Sequence, residues 1–158
     1  MKNKNIILLF VMSFLLFVKL YSIEPPKKLI VKDIVLGKSD KVVSNNDIVH
    51  VHYKGWLFNS NLKVESYCEA KGKKFDDTND KKLRKKYAIQ TGEFSFELGK
   101  NLVISGWELG LKNMKIGGKR CLVIPPNLAY GARRIDDIIP ANSTLIFEIE
   151  LVNIENKK

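Results

Sequence analysis

The stretch from Leu98 to Met114 reads LGKNLVISGWELGLKNM and decides much of the fold. It holds one Trp, a row of aliphatic side chains and three glycines, but no His, no Cys and only one acid. Its apolar residues recur at helical spacing, at Val103, Trp107, Leu111 and Met114. Because a central glycine disfavours a long helix, the stretch predicts a short helix that depends on packing.

Regions of alternating apolar and polar residues on both sides of this helix predict strands. The clearest are residues 47–57 and 143–154, and shorter candidates are residues 29–36, 94–98 and 118–124. Residues 58–93 show no clear period and predict long polar loops, with Phe75 as an apolar anchor. Several strands and one short helix predict an α+β fold, in which the helix covers the apolar face of an antiparallel sheet.

The length and composition favour a single globular domain. The chain has 158 residues, 45% of them hydrophobic and 28% charged, with a net charge of +10. This charge favours acidic partners or a lipid headgroup surface, and the basic run at residues 81–86 leaves a weak membrane contact open. No nucleic-acid-binding motif is present, so nucleic acid is not an expected partner.

The N-terminus has the features of a signal peptide. Lys2 and Lys4 precede an apolar run at residues 6–18, which is short for a membrane-spanning helix. We therefore expect residues 1–22 to be a signal peptide cleaved after Ser22, residues 23–28 a linker and residues 29–158 the folded domain. The protein is expected to be exported, periplasmic or secreted, with a retained N-terminal membrane anchor as the minor alternative.

The two cysteines and two histidines leave alternatives open. An exported protein can keep a Cys68–Cys121 disulfide, but the sequence does not give the distance between them. His50 and His52 lie on the same face of a predicted strand, a spacing that can bind a metal ion. Because no third ligand is in view, we expect a solvated strand face and no metal site.

Four blocks of the sequence resemble one known family. They are VHYKGWL at 51–57, GKKFDD at 72–77, FSFELGKNLVISGWELGLKNMKIGGKR at 94–120 and LAYGA…IIPANSTLIFEIEL at 128–151. In this order they resemble the FKBP-type peptidyl-prolyl cis-trans isomerases. The resemblance implies a five- to six-stranded antiparallel sheet wrapped around one short helix, with the active pocket between them.

The resemblance also implies the site residues and their roles. Trp107 matches the pocket floor, and the Ile104 N–H and the Tyr130 hydroxyl match donors to ligand carbonyls. The implied catalytic residues are Tyr53, Phe75, Asp76, Trp107, Tyr130 and Phe147, and the implied substrate-binding residues are Phe94, Val103, Ile104 and Ile139. No cofactor is expected, because an apolar pocket that favours a twisted amide requires no nucleophile or metal.

Three departures from the family pattern bear on function. Insertions near residues 59–71 and 82–92 lengthen loops expected at the pocket rim, and Arg134 replaces a usual glycine. The expected function is therefore isomerisation of X–Pro bonds in exported polypeptides, and the alternative is a low-activity chaperone or partner-binding module. Expected partners are proline-containing unfolded or nascent chains and a macrolide inhibitor, and a monomer is expected.

Overall fold

A computed structural model describes residues 21–86 and 92–156. One antiparallel sheet is formed by β2 (Ile30–Val35), β3 (Asp47–Phe58), β5 (Lys71–Asp77), β6 (Phe94–Glu97), β7 (Lys119–Ile124) and β8 (Leu145–Asn156). The strands run in the order β2-β7-β8-β3-β5, and β6 also pairs with β3. The helix α2 (Ser105–Gly110) packs against this sheet, which confirms the predicted fold class.

The two faces of the sheet carry different apolar clusters. Along β7, Leu122 and Ile124 belong to the main core beneath α2, whereas Cys121 and Val123 belong to a second cluster. This separation follows from the period of two in a strand, which sends successive side chains to opposite faces. The main core and the second cluster therefore lie on opposite sides of the same strands.

Two glycines let α2 lie close to the sheet. A Cβ atom on Gly106 would lie 2.4 Å from Ile124 Cγ2, and one on Gly110 would lie 2.6 Å from Leu122 Cδ2. Both distances are far below a normal carbon–carbon contact, so any larger residue would push the helix away or displace the core side chains. The glycines that disfavour a long helix thus set its distance from β7.

Arg120 ties the end of α2 to the edge of the sheet. Its Nη1 donates to the carbonyl oxygens of Gly110, at 2.8 Å, and Lys112, at 2.9 Å. Its Nε donates to Asp33 Oδ1 on β2 at 2.7 Å, and the arginine is buried. The guanidinium therefore satisfies carbonyls that the short helix leaves without partners while keeping its own charge paired.

The first insertion packs on the face of the sheet opposite α2. Within it β4 (Lys63–Val64) pairs with β1 (Tyr21–Ser22), and a 3₁₀ turn (Tyr67–Glu69) carries Cys68. Cys68 forms a disulfide with Cys121 of β7, with their Cα atoms 6.2 Å apart. The question left open by the sequence is settled in favour of the bridge, and the expectation that residues 59–71 lie at the pocket rim is wrong.

The prediction of long loops across residues 58–93 is also wrong in part. The stretch contains β4, the whole of β5 and the short helix α1 (Lys81–Lys86). β5 was hard to identify because its pairing with β3 shifts register twice, which disrupts a simple alternation. Asp80 precedes α1 and caps it, because its Oδ1 accepts a 3.0 Å hydrogen bond from the N–H of Leu83. Residues 87–91 of the second insertion lie outside the described residues.

The predicted signal peptide lies almost entirely outside the described residues, which begin at Tyr21. Within residues 21–86 and 92–156, no helix is long and apolar enough to cross a membrane. The domain boundaries given above stay predictions.

Candidate active site

A cavity of about 190 Å³ opens between α2 and the concave face of the sheet. The cavity is lined by Tyr53, Phe75, Asp76, Phe94, Leu102, Val103, Ile104, Trp107, Tyr130 and Phe147. Nine of these ten residues were predicted from the sequence, although they come from four strands, one helix and two loops.

Aromatic rings pack edge to face around Trp107 at the centre of the cavity. The centroid of its ring lies 5.0 Å from that of Tyr53 and 5.2 Å from that of Phe147, with interplanar angles of 85° and 90°. Phe94 lies 6.1 Å away at 79°, and Trp107 is only 4% exposed. Edge-to-face pairs stabilise by about 0.5–1.5 kcal/mol each beyond their buried area, so the rings form a rigid apolar surface.

Gly55 makes room for two of these rings. A Cβ atom at this position would lie 2.7 Å from the ring of Phe75 and 3.0 Å from the ring of Phe147. Those two rings are in edge-to-face contact, with centroids 5.5 Å apart. The sequence does not identify Gly55 as part of the site, because a glycine within a strand gives no sign of which rings approach it.

One carboxylate, Asp76, lines the cavity. Its Oδ2 accepts a 2.5 Å hydrogen bond from the Tyr53 hydroxyl, and its Oδ1 accepts one of 2.8 Å from the Asp77 N–H. The single acid of α2, Glu108, does not line the cavity; its Oε2 accepts a hydrogen bond from the N–H of Gly99. The floor of the cavity therefore carries no acid.

Two hydrogen-bond donors belong to residues that line the cavity. The N–H of Ile104, which precedes α2, makes no backbone hydrogen bond to another described residue. The Tyr130 hydroxyl also has no hydrogen-bond partner among residues 21–86 and 92–156. Burial raises the pKa of Tyr130 above 10, against an opposing effect of Arg133, so the hydroxyl keeps its proton at neutral pH.

Comparison with known proteins shows which family shares this arrangement. Residues 39–152 match the family described as FKBP-type peptidyl-prolyl cis-trans isomerase. The chain belongs to that family. Its assignment to the isomerases, predicted from four sequence blocks, is confirmed.

Relatives of this FKBP domain occur in fungi and bacteria. FK506-binding protein 1A of Neurospora crassa is 45% identical over 75% of this chain and 82% of its own length. The FK506-binding protein of Neisseria meningitidis serogroup A is 37% identical over 80% of this chain and 95% of its own length. The isomerase FkpA of Buchnera aphidicola is 39% identical over 77% of this chain, but the match covers only 38% of its length.

The loop in which this FKBP domain departs from its family closes without strain at Arg134. The residue with positive φ is Asp136, at 43°, and Arg134 is not among the described non-glycine residues with positive φ. Two backbone hydrogen bonds between Ile135 and Ile139, of 2.9 and 3.0 Å, close the loop. Arg134 therefore needs no left-handed backbone conformation, and Asp136, which does adopt one, is of a residue type that tolerates it better than most.

Ile139 and Leu102 differ from the sequence-based assignment. Ile139 is 4% exposed and packs within the main core, but it is not among the residues that line the cavity. Its substrate-binding role stays a prediction. Leu102 lines the cavity and is 64% exposed, and sequence analysis missed it because a single leucine in a loop has no periodic signal.

A larger open groove of about 670 Å³ lies at the end of the sheet where β3 stops and β8 starts. Its walls are mainly prolines and small polar residues, including Pro25, Pro26, Pro125, Pro126 and Pro140. Phe58 is the one aromatic side chain among its described lining residues, so this groove lacks the enclosed aromatic surface of the smaller cavity. We therefore place the candidate active site at Trp107.

Proposed function

We propose that this FKBP domain accelerates rotation about X–Pro bonds of exported polypeptides inside the Trp107 cavity, without a covalent step. The observation that carries the proposal is the convergence of four aromatic rings and two hydrogen-bond donors on a space with no nucleophile at its floor. This combination suits a reaction in which no bond is made or broken. The ten lining residues give the site its shape, and six of them are aromatic.

The barrier to be lowered is electronic. The planar amide is held by delocalisation of the nitrogen lone pair into the carbonyl, and rotation costs about 18–20 kcal/mol. Water stabilises the polar planar amide more than the twisted one, so an apolar cavity favours the twisted state relative to the ground state. A rate increase of about 10⁵ requires about 7 kcal/mol, which desolvation, shape and hydrogen bonds supply together.

The donors hold the substrate while the bond turns. A substrate carbonyl that accepts from Ile104 N–H or Tyr130 Oη is anchored on one side of the rotating bond. The Trp107 floor and the walls from Phe94 and Phe147 receive the prolyl ring on the other side. With one end of the bond fixed and the prolyl ring on an apolar surface, binding stabilises the twisted amide more than the planar one.

The decisive experiment is NMR exchange spectroscopy on a short Ala-Pro peptide, with a protease-coupled assay as a second measurement. The proposal predicts acceleration at micromolar protein and a large loss of kcat/KM in Trp107→Ala. Leu109→Ala is the matched control, because Leu109 lies on α2, is 52% exposed and does not line the cavity. A folded protein that binds the peptide without accelerating exchange would instead support the binding-module alternative.

Inhibition provides an independent check on the location of the site. Two of the relatives carry FK506 in their names, so we expect that macrolide to occupy the same cavity here. It should quench or shift Trp107 fluorescence in proportion to the loss of isomerase activity. The Trp56→Phe variant isolates the Trp107 signal, because the chain has only these two tryptophans. If the macrolide abolishes activity without changing that signal, the site lies elsewhere.

The exported setting rests on two separate features. One is the positively charged and apolar N-terminal sequence, and the other is a buried disulfide between residues 53 positions apart, which persists most readily in an oxidising compartment. Cleavage after Ser22 would remove β1, whereas cleavage before Tyr21 would keep it. Cell fractionation and the intact mass of the processed protein test both points, and an unprocessed cytoplasmic protein with reduced cysteines would contradict them.

A further inference from the structure

Two neighbouring arginines beside the cavity have different partners. Arg134 is bound within its own loop: its Nε donates to the Asp136 carbonyl oxygen at 2.6 Å, and its Nη2 pairs with the Asp137 carboxylate. Arg133 forms no ion pair with any residue in 21–86 or 92–156. Arg134 is therefore neutralised locally, while the charge of Arg133 remains available.

The charge of Arg133 lies beside a ring that lines the cavity. Its Cζ is 5.7 Å from the centroid of the Tyr130 ring, within the range of a cation–π contact, and Tyr130 lines the cavity. Its backbone N–H donates to the Tyr130 carbonyl oxygen at 3.1 Å, so the two residues form one turn. The guanidinium thus lies beside the ring of the tyrosine whose hydroxyl is expected to bind a substrate carbonyl.

The carboxylate that lines the cavity, Asp76, is not bonded to this guanidinium. Asp76 is engaged by the Tyr53 hydroxyl and the Asp77 N–H, and it forms no salt bridge with Arg133. Both charges act on Tyr130: burial is the main reason that its pKa is raised, Arg133 lowers the pKa and Asp76 raises it. The positively charged side chain of Arg133 is exposed, whereas the carboxylate of Asp76 is held by hydrogen bonds in the cavity wall.

We propose that Arg133 is a specificity-determining residue that pairs with an acidic side chain of the substrate, within about two residues of the isomerised proline. This inference rests on the proposed function, because it concerns the same cavity. An extended chain advances about 3.3 Å per residue, so a carboxylate one or two residues from the proline reaches the rim beside Tyr130. A guanidinium that is stacked on a ring keeps its N–H donors free for a carboxylate.

The expected preference is modest, because the pair forms at an exposed position. Exposed ion pairs change an equilibrium or a rate by about two- to fivefold, and salt weakens them. The quantity to measure is the ratio of kcat/KM for a Glu-containing peptide to that for the same peptide with Gln. Using a ratio removes any effect of a substitution on general activity.

The experiment scans Glu and Gln through the two positions on each side of proline in an otherwise neutral Ala-Pro peptide. At the best position the intact protein should give a ratio of about two to five at low salt, falling towards one at high salt. Arg133→Gln should bring the ratio to about one, and Arg133→Glu should invert it and favour a Lys-containing peptide. Arg134→Gln is the matched control and should leave the ratio of the intact protein in place.

The possible failures are distinguishable. If the neutral peptide is accelerated but its Glu and Gln forms react equally at every position, the inference is wrong and the proposed function stands. A preference for Glu that survives in Arg133→Gln also overturns the inference. If the intact protein does not accelerate the neutral peptide, the proposed function fails and the inference fails with it.

Discussion

The hydroxyl of Tyr53 donates a 2.5 Å hydrogen bond to Asp76 across the wall of the cavity. Tyr53 lies on β3 and Asp76 on the neighbouring strand β5, so the bond joins two strands close to the point where their register shifts. The same tyrosine ring packs edge to face on Trp107. The pair therefore fixes the position of a wall, and the carboxylate is held as a hydrogen-bond acceptor.

This relationship predicts a small effect of Asp76→Asn on catalysis. Because no proton is transferred in the proposed reaction, kcat/KM should fall by less than about tenfold, whereas loss of a general acid or base typically costs about 10²–10⁴-fold. Tyr53→Phe should lower the free energy of unfolding by about 1.5–3 kcal/mol, because the bond that it removes is made to a carboxylate. Isomerase kinetics and urea unfolding measure the two effects, and a hundredfold loss in a folded Asp76→Asn protein would contradict the mechanism.

The pH profile should be flat across the neutral range. Burial raises the pKa of Tyr130 above its usual value of 10.0, so its hydroxyl remains a donor between about pH 6 and 9. Because the folded protein holds this proton more tightly than the unfolded chain, stability should fall only as the pH rises past 10. Activity and urea midpoints measured from pH 6 to 11 test this, with Tyr130→Phe as the control that removes the group.

Gly110→Ala should destabilise the protein although alanine is the better helix former. The intrinsic gain is about 1 kcal/mol, but the new methyl would overlap Leu122 in a packed core, which costs about 1–3 kcal/mol. We expect a lower urea midpoint and a displaced Trp107 with altered fluorescence. The control is Ser105→Ala at the exposed start of α2, which should change the unfolding free energy by less than about 0.5 kcal/mol.

Removing the disulfide should affect stability far more than activity. The bridge closes a loop of 53 residues, so replacing Cys68 and Cys121 by alanine should lower the free energy of unfolding by up to about 4 kcal/mol. Since both cysteines belong to the cluster opposite α2, the folded double variant should keep its kcat/KM. An activity collapse at a temperature where circular dichroism shows a native protein would refute this separation of the two faces.

The strands with regular alternation were predictable, and the irregular ones were not. β3 and β8 were identified within about one or two residues of their bounds, because each has one buried and one more exposed face. β5 was missed from periodicity because its register shifts against β3. The same limit applies to Gly55 and Leu102, whose roles depend on which side chains lie opposite them.

The sequence by itself determined the family, the short helix with Trp107 and nine of the ten residues around the cavity, because those residues lie in motifs whose order and spacing are specific. Only the tertiary structure decided that Cys68 and Cys121 are bonded, that residues 59–71 pack away from the cavity and that Arg133, unlike Arg134, has no local ion-pair partner within the described chain. These features depend on the distance between segments far apart along the chain or on the directions of individual side chains. Neither quantity is encoded in a local pattern of residues.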